Sequence, residues 1–233
     1  MKLVWLSILL TLSACKQYIP KDRVYSATQS AVSLTPNKCN GKSIVYAIQE
    51  PSALSWSIEQ TKGAAGEKSL IQSKHPAAGQ ISLANGLLNQ AKGAVAFNVA
   101  TISTGDPIRD RLLQEVLFAQ GTSEAFRFTI NRLIGESSTV ATGSSVDMKA
   151  DGLLELGGRK ASLLLPIKIS EQDSIYTLIG NIVINTRESR PALNAISMDD
   201  KLKLIESTMG VTLASAMTLS FELHLKNNCL PTP

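Results

Sequence analysis

Reactive side chains are scarce in this sequence. It holds two histidines, His75 and His224, and three cysteines, Cys15, Cys39 and Cys229, among 233 residues. No CxxC pair or Cys/His cluster occurs, so the ligand spacing of a zinc site is missing. A GxSxG nucleophile turn is missing too. His75 precedes Pro76 in a stretch that reads as a loop, and His224 falls on the polar, solvent-facing side of an alternating run. An enzyme would need a polar cleft gathering one of them with carboxylates. Asp199 and Asp200 stand where a helical pattern begins, and acidic residues there complement the helix dipole. A dominant charge is lacking as well: 23 Lys and Arg face 19 Asp and Glu, giving +4, and the basic residues are scattered, which argues against nucleic acid. No cofactor and no metal site are expected, and the oligomeric state is left open.

Long apolar runs are confined to the start, "MKLVWLSILLTLSAC". One charge at Lys2 precedes an apolar stretch from Leu3 to Leu12, too short for a bilayer span of about 20 residues. It reads as an export signal. Its end, "LSAC", resembles the lipobox of bacterial lipoproteins. That resemblance implies removal of residues 1–14, a diacylglyceryl group on Cys15 and a bacterial envelope protein held to a membrane by its lipid anchor. Lys16 follows the cysteine, where an aspartate would favour the inner membrane, so the outer membrane is expected, on its periplasmic face or at the cell surface. Cys39 and Cys229 then remain, an even number in an oxidising compartment, and they are expected to pair. Residues 15–42 are polar and without period, a linker from lipid to domain. The folded domain is expected over 43–229, with 230–233 as a tail.

Within that domain the signal is alternation, the mark of half-buried strands. Ile44, Tyr46 and Ile48 share one face, then Leu54, Trp56 and Ile58, then Val95, Phe97 and Val99. Phe126, Phe128 and Ile130 follow, then Leu163, Leu165, Ile167 and Ile169, then Tyr176, Leu178, Ile182 and Ile184. The last stripe runs through Leu213, Met217, Leu219, Phe221, Leu223 and Leu225. About eight strands without a strand-helix-strand rhythm predict an all-β fold, an antiparallel closed barrel. Two short helices are expected to cap its ends. The first, in "TGDPIRDRLLQEVLF", has Asp106 as cap, Pro107 in the first turn and an apolar face of Ile108, Leu112, Val116 and Leu117. In the second, Ser197 and Asp200 have capping-box spacing, Met198, Leu202, Ile205 and Met209 form a stripe, and Gly210 ends it. "GESSTVATGSS" reads as a loop between strands.

Three blocks resemble the YceI family, exported lipocalin-like barrels that bind polyisoprenoids or other long-chain lipids. "HPAAGQISLANGLL" resembles its strand pair flanked by glycines, here Gly79 and Gly86. "VATISTGDPIRDRLL" resembles its Thr-Gly turn and Arg-Asp-x-x-Leu helix, on Thr104, Gly105, Arg109, Asp110 and Leu113. "VDMKADGLLELGGRKASLLLPI" resembles its hairpin, on Gly152, Leu154, Gly158, Leu165 and Pro166. The chain departs from the family at Leu112, often histidine, at Phe118-Ala119, often Phe-Phe, and in the helix near residues 198–209, where relatives have a glycine-rich loop.

The resemblance implies a non-catalytic carrier or store for a long-chain apolar, isoprenoid-like lipid. The expected lining is Trp56, Val95, Phe97, Val99, Phe126, Phe128 and Leu163, continued by Leu165, Leu178, Ile182, Met217, Leu219 and Phe221. Gly180 and Ser215, small residues in inward stripes, hint at space. Arg109 either holds a phosphate or carbonyl headgroup at the rim or, with Asp110, anchors its helix to neighbouring loops. The alternative function is a structural or adhesive envelope lipoprotein with a solid barrel.

Overall fold

The alternating stripes do become strands, and they close on themselves. The structure, a computed structural model, describes residues 43–63, 66–118, 124–188 and 192–228. In chain order the strands are β1 (Ser43–Lys62), β2 (Glu67–Pro76), β3 (Ala78–Ala84), β4 (Ala91–Asn98), β5 (Glu124–Ile134), β6 (Ser145–Leu156), β7 (Arg159–Gln172), β8 (Ile175–Asn185) and β9 (Val211–Asn227). Neighbours run β1-β3-β4-β5-β6-β7-β8-β9, every pair antiparallel, and β9 returns to β1. That is an eight-stranded closed barrel with β2 as a ninth strand on the distal half of β1, Ala53–Lys62 against Pro76–Glu67. Closure pairs most edges of the eight barrel strands that would otherwise be exposed, while β2 pairs only with β1.

Three strands were absent from the alternating stripes: the seven-residue β3, with only Ile81 and Leu83 inward, and β2 and β6. The inward residues of β2 are Ile71, Ser73 and His75, and those of β6 include Ala150 and Gly152, too polar or too small to stand out as apolar stripes.

All helical structure with a buried face except one short turn gathers at one end of the barrel. α1 (Pro107–Leu112) begins at Asp106, whose carboxylate accepts the backbone N–H groups of Ile108 and Arg109, and Pro107 fills the first turn. It passes into a π-helical turn, Leu113–Phe118, and this wider turn rotates the buried face. Of the expected face Leu117 is buried and Leu112 and Val116 pack half-buried on the core, but Ile108 is 78% exposed, and Leu113 and Phe118 supply the rest of the buried face. α2 (Asp199–Met209) buries Met198, Leu202 and Ile205 as the stripe required, and Gly210 ends it in a left-handed conformation, its N–H bonded to Glu206 O. The capping box does not form. Met198 is the cap, Asp200 pairs with Arg159 instead, and Asp199 pairs with Arg187 and Lys203.

The other end carries the 3-10 turn Leu88–Gln90, the loop over 135–144, and both ends of the described domain. There Asn228 donates its N–H to Val45 O at 2.8 Å, so the two ends of the barrel chain are neighbours. Cys15, Cys39 and Cys229 lie outside the described residues.

Candidate ligand cavity

Midway along the barrel lies a void of about 30 Å³. Only apolar side chains line it. Of the expected lining, Val95, Phe126, Phe128, Leu163, Leu165, Leu178, Ile182, Leu219 and Phe221 border it, joined by Leu54, Ile130, Ala150, Ile167 and Leu223. Leu54, Ile130, Ile167 and Leu223 were already in the same stripes, so parity alone would have added them. A space this size holds about one water. Pockets for drug-sized ligands are about ten times larger or more.

The space that small residues promised is filled. A Cβ on Gly180 would stand 2.4 Å from Phe221 Cζ, and one on Gly152 would stand 2.6 Å from Phe128 Cζ. Each glycine therefore seats a phenylalanine ring from the neighbouring strand, Phe221 of β9 on Gly180 of β8 and Phe128 of β5 on Gly152 of β6, and the rings border the lumen. Ser215 is exposed rather than inward, because β9 bulges between Leu213 and Met217 where it pairs with β1.

Above the void, toward the helical end, Trp56 and Phe97 belong to a plug rather than a lining. Phe97 stacks on Phe126 (5.4 Å between centroids) and on the His75 imidazole (4.3 Å), and Phe118 closes against both Trp56 and Phe97. His75 is not in a loop: it sits in β2 with 0% exposure. Trp56 Nε1 donates to its Nε2 at 3.1 Å, and its Nδ1 faces Thr101 O at 3.2 Å and Thr101 Oγ1 at 3.0 Å. Burial drops its pKa from 6.5 to about 4, against the opposing effect of the Thr101 carbonyl. It is a neutral, fully satisfied core histidine. Met217 is buried but away from the void, and the side chain of Val99 lies outside the described residues.

Arg109 and Asp110 converge on Thr104. Arg109 Nε donates to Thr104 Oγ1 at 2.7 Å and Nη2 to Thr104 O at 2.9 Å. Asp110 accepts Thr104 N–H at 2.7 Å and also the Thr104 hydroxyl. The pair anchors its helix to the preceding loop, and Arg109 does not border the void. Lys201 ties the two helical segments together: its Nζ donates to Gly157 O at 2.5 Å and Leu117 O at 3.4 Å, and desolvation, with Arg159 nearby, lowers its pKa. Gly157 has no room for a side chain there, since a Cβ would meet Leu117 O at 2.0 Å.

His224 is half-buried on the outer wall, 3.3 Å from Thr177 Oγ1 and 3.3 Å from Glu222 Oε1. The two histidines therefore stand on opposite faces of the wall, and no cleft gathers them. Among the described residues no group of three metal-ligating side chains occurs.

No protein-family model matches the sequence, and no curated protein matches it. Solved structures do. A polyisoprenoid-binding domain from Saccharophagus degradans, implicated in plant cell wall breakdown, is 11% identical with a TM-score of 0.59, over 78% of this chain and 98% of that domain. BcnA from Burkholderia cenocepacia is 12% identical over 74% of this chain and 95% of its own, with a TM-score of 0.47. The YceI protein of Campylobacter jejuni is 18% identical over 64% and 79%, with a TM-score of 0.45. The first likeness is one of fold: this chain has the lipocalin-like barrel that the three sequence blocks implied.

Proposed function

We propose that this chain is a YceI-like envelope lipoprotein whose barrel holds one slender, apolar, isoprenoid-like lipid without catalysis, as carrier or store. The observation that carries this reading is the central void, which only apolar side chains surround. Burial of a prenyl chain there would be driven by apolar area leaving water, at roughly 25 cal/mol per Å² before association costs. The fold shared with a polyisoprenoid-binding domain supports it. At about 30 Å³ the central void is too small for a prenyl chain. Loading then requires the Phe128 and Phe221 rings to leave their glycine seats, which turns a filled core into a channel. Lipid-protein contact replaces ring-glycine contact, so the exchange keeps the interior packed.

The same small void favours a second reading, a solid barrel with a structural or adhesive role. Native mass spectrometry separates them. Chain isolated from a bacterial envelope is expected to carry an apolar adduct beyond its own acyl groups, released by organic extraction. Chain that is uniformly empty, and that stays empty when incubated with a polyprenol, overturns the carrier.

The anchoring is part of the proposal. Cys15 carries the lipid, residues 16–42 span from membrane to barrel, and the outer membrane is the site. Replacing Cys15 by Ser is expected to move the protein from the membrane fraction to the soluble periplasm. Cys39 and Cys229 form a disulfide that joins the two chain ends, a reading supported by the bond from Asn228 to Val45 at that end of the barrel.

A further inference from the structure

The barrel wall is not hydrogen-bonded all the way round. The β7–β8 ladder runs from Gln172↔Ile175 to Ile167↔Gly180 and stops, although β7 reaches back to Arg159 and β8 goes on to Asn185. On their other edges both strands stay paired throughout this stretch, β7 with β6 and β8 with β9. The cause is visible in the sequence. In a strand, residues two apart direct their N–H groups to the same neighbour. Leu164 donates into the seam, so the residue next due to donate toward β8 is Pro166, which has no N–H.

A strap of chain fills the gap. Asn194, held in the left-handed region at φ 57°, bonds both sides at once. Its N–H donates to Ser162 O at 3.1 Å and its Oδ1 accepts Leu164 N–H at 2.9 Å on the β7 side, while its carbonyl accepts Asn185 N–H at 3.1 Å on the β8 side. Ala195 and Ile196 behind it are buried. Outside, the rim is apolar: Ile179, Val183 and Leu193 are each at least half exposed. Ile167 lines both the inner void and an open groove on the outer wall at the head of the seam, so one residue's thickness divides them.

We infer that the β7–β8 seam is the portal through which a slender apolar chain enters the barrel from the side, with the Asn194 strap as its latch. The inference rests on the lipid-binding reading. Both barrel ends are shut by interlocked elements, the aromatic plug with α2 at one and the loops at the other. On the β7 side the strap is held by Asn194 alone, while on the β8 side Ile196 N–H also donates to Asn185 O at 2.7 Å and Met198 N–H to Thr186 O at 2.9 Å, so release from β7 opens the seam beside Leu163, Leu165 and Ile182. An apolar rim suits a methyl-branched or polyene hydrocarbon chain arriving from a membrane or another carrier.

The test follows loading of all-trans-retinol, an isoprenoid alcohol whose fluorescence rises on leaving water, into the full mature chain by stopped flow. Asn194→Ala removes the side-chain bond to Leu164 and is expected to speed loading about fivefold, the factor that one neutral hydrogen bond represents. Lys201→Met, which loosens α2 at the helical end, is expected to leave the loading rate unchanged. In a Cys39→Ser/Cys229→Ser background, the pair Ser162→Cys and Asn194→Cys joins two residues already bonded through Asn194 N–H and Ser162 O at 3.1 Å, and is chosen to lock the strap to β7. Oxidised, it is expected to stop loading, and mild reduction to restore it in the same sample, so a folding defect would show in both states. Loading at an undiminished rate with the strap locked, or acceleration by Lys201→Met alone, overturns the portal and leaves lipid binding standing. Wild-type chain that takes up no retinol at equilibrium overturns the binding reading, and the portal falls with it.

Discussion

At the scale of single residues, His75 ties packing to pH. Its folded pKa of about 4 lies below the 6.5 of the unfolded chain, so the unfolded state binds the extra proton between those values. Its contribution is fully present above pH 6.5, is lost as pH falls toward 4, and amounts to about 3 kcal/mol over that window. Denaturant melts at pH 7 and pH 4 are expected to show this loss, and His75→Phe, which keeps the ring stack on Phe97, to show a shallower slope between the same two pH values. Phe221 sets the room inside. Phe221→Ala is expected to lower stability by about 3–5 kcal/mol and to raise retinol occupancy, because the space above Gly180 becomes available. Urea melts and retinol titration of the same variant read both effects. His75 shows where sequence reading stops: with Pro76 beside it the segment looks like a loop, and only the partners Trp56 and Thr101 reveal a core position.

At the scale of elements, the first helix was legible in its start and only in part in its face, Leu112, Val116 and Leu117 packing on the core and Ile108 not. Asp106 and Pro107 are local signals, and the cap forms as they dictate. The buried face depends on the switch to π-helical pitch after Leu112, for which the spacing of apolar residues gives no cue. The Arg109-Asp110 pair, adjacent on the helix, reaches a common target because Thr104 lies just before the helix. Asp110→Ala leaves Thr104 N–H without its partner and is expected to cost about 1–3 kcal/mol in chemical denaturation. Arg109→Ala is expected to leave retinol affinity unchanged, since its guanidinium is bound to Thr104. A loss of retinol affinity in that variant would place it at the ligand after all. Strand parity was legible in the longer strands whose inward residues are large and apolar, and missed the seven-residue β3, where only Ile81 and Leu83 are buried. It failed in β2 and β6, where serine, histidine, alanine and glycine face inward, and past the bulge that turns Ser215 out.

At the scale of the whole molecule, closure brings the two ends of the barrel chain together. A disulfide between Cys39 and Cys229 would close nearly the entire domain into one loop, for which the chain-entropy model gives on the order of 4–5 kcal/mol. Alkylation before and after reduction, read by intact mass, is expected to show these two thiols blocked in the oxidised protein and free after reduction, and Cys39→Ser to lower the unfolding midpoint. The barrel also sets where the reactive side chains of the described residues stand. Its inward positions are spent on apolar filling, its histidines are separated by the wall, and its acidic residues at α2 serve ion pairs with Arg187, Lys203 and Arg159.

The order of residues alone determined which positions alternate, where the first helix starts and that no CxxC or GxSxG motif is present, because each of these is a local property of neighbouring side chains. The room inside was decided by tertiary structure. Phe221 reaches Gly180 and Phe128 reaches Gly152 only once neighbouring strands have paired in register, Asn194 reaches Leu164 only when the strap folds back on β7, and a volume is set by side chains that meet from different strands.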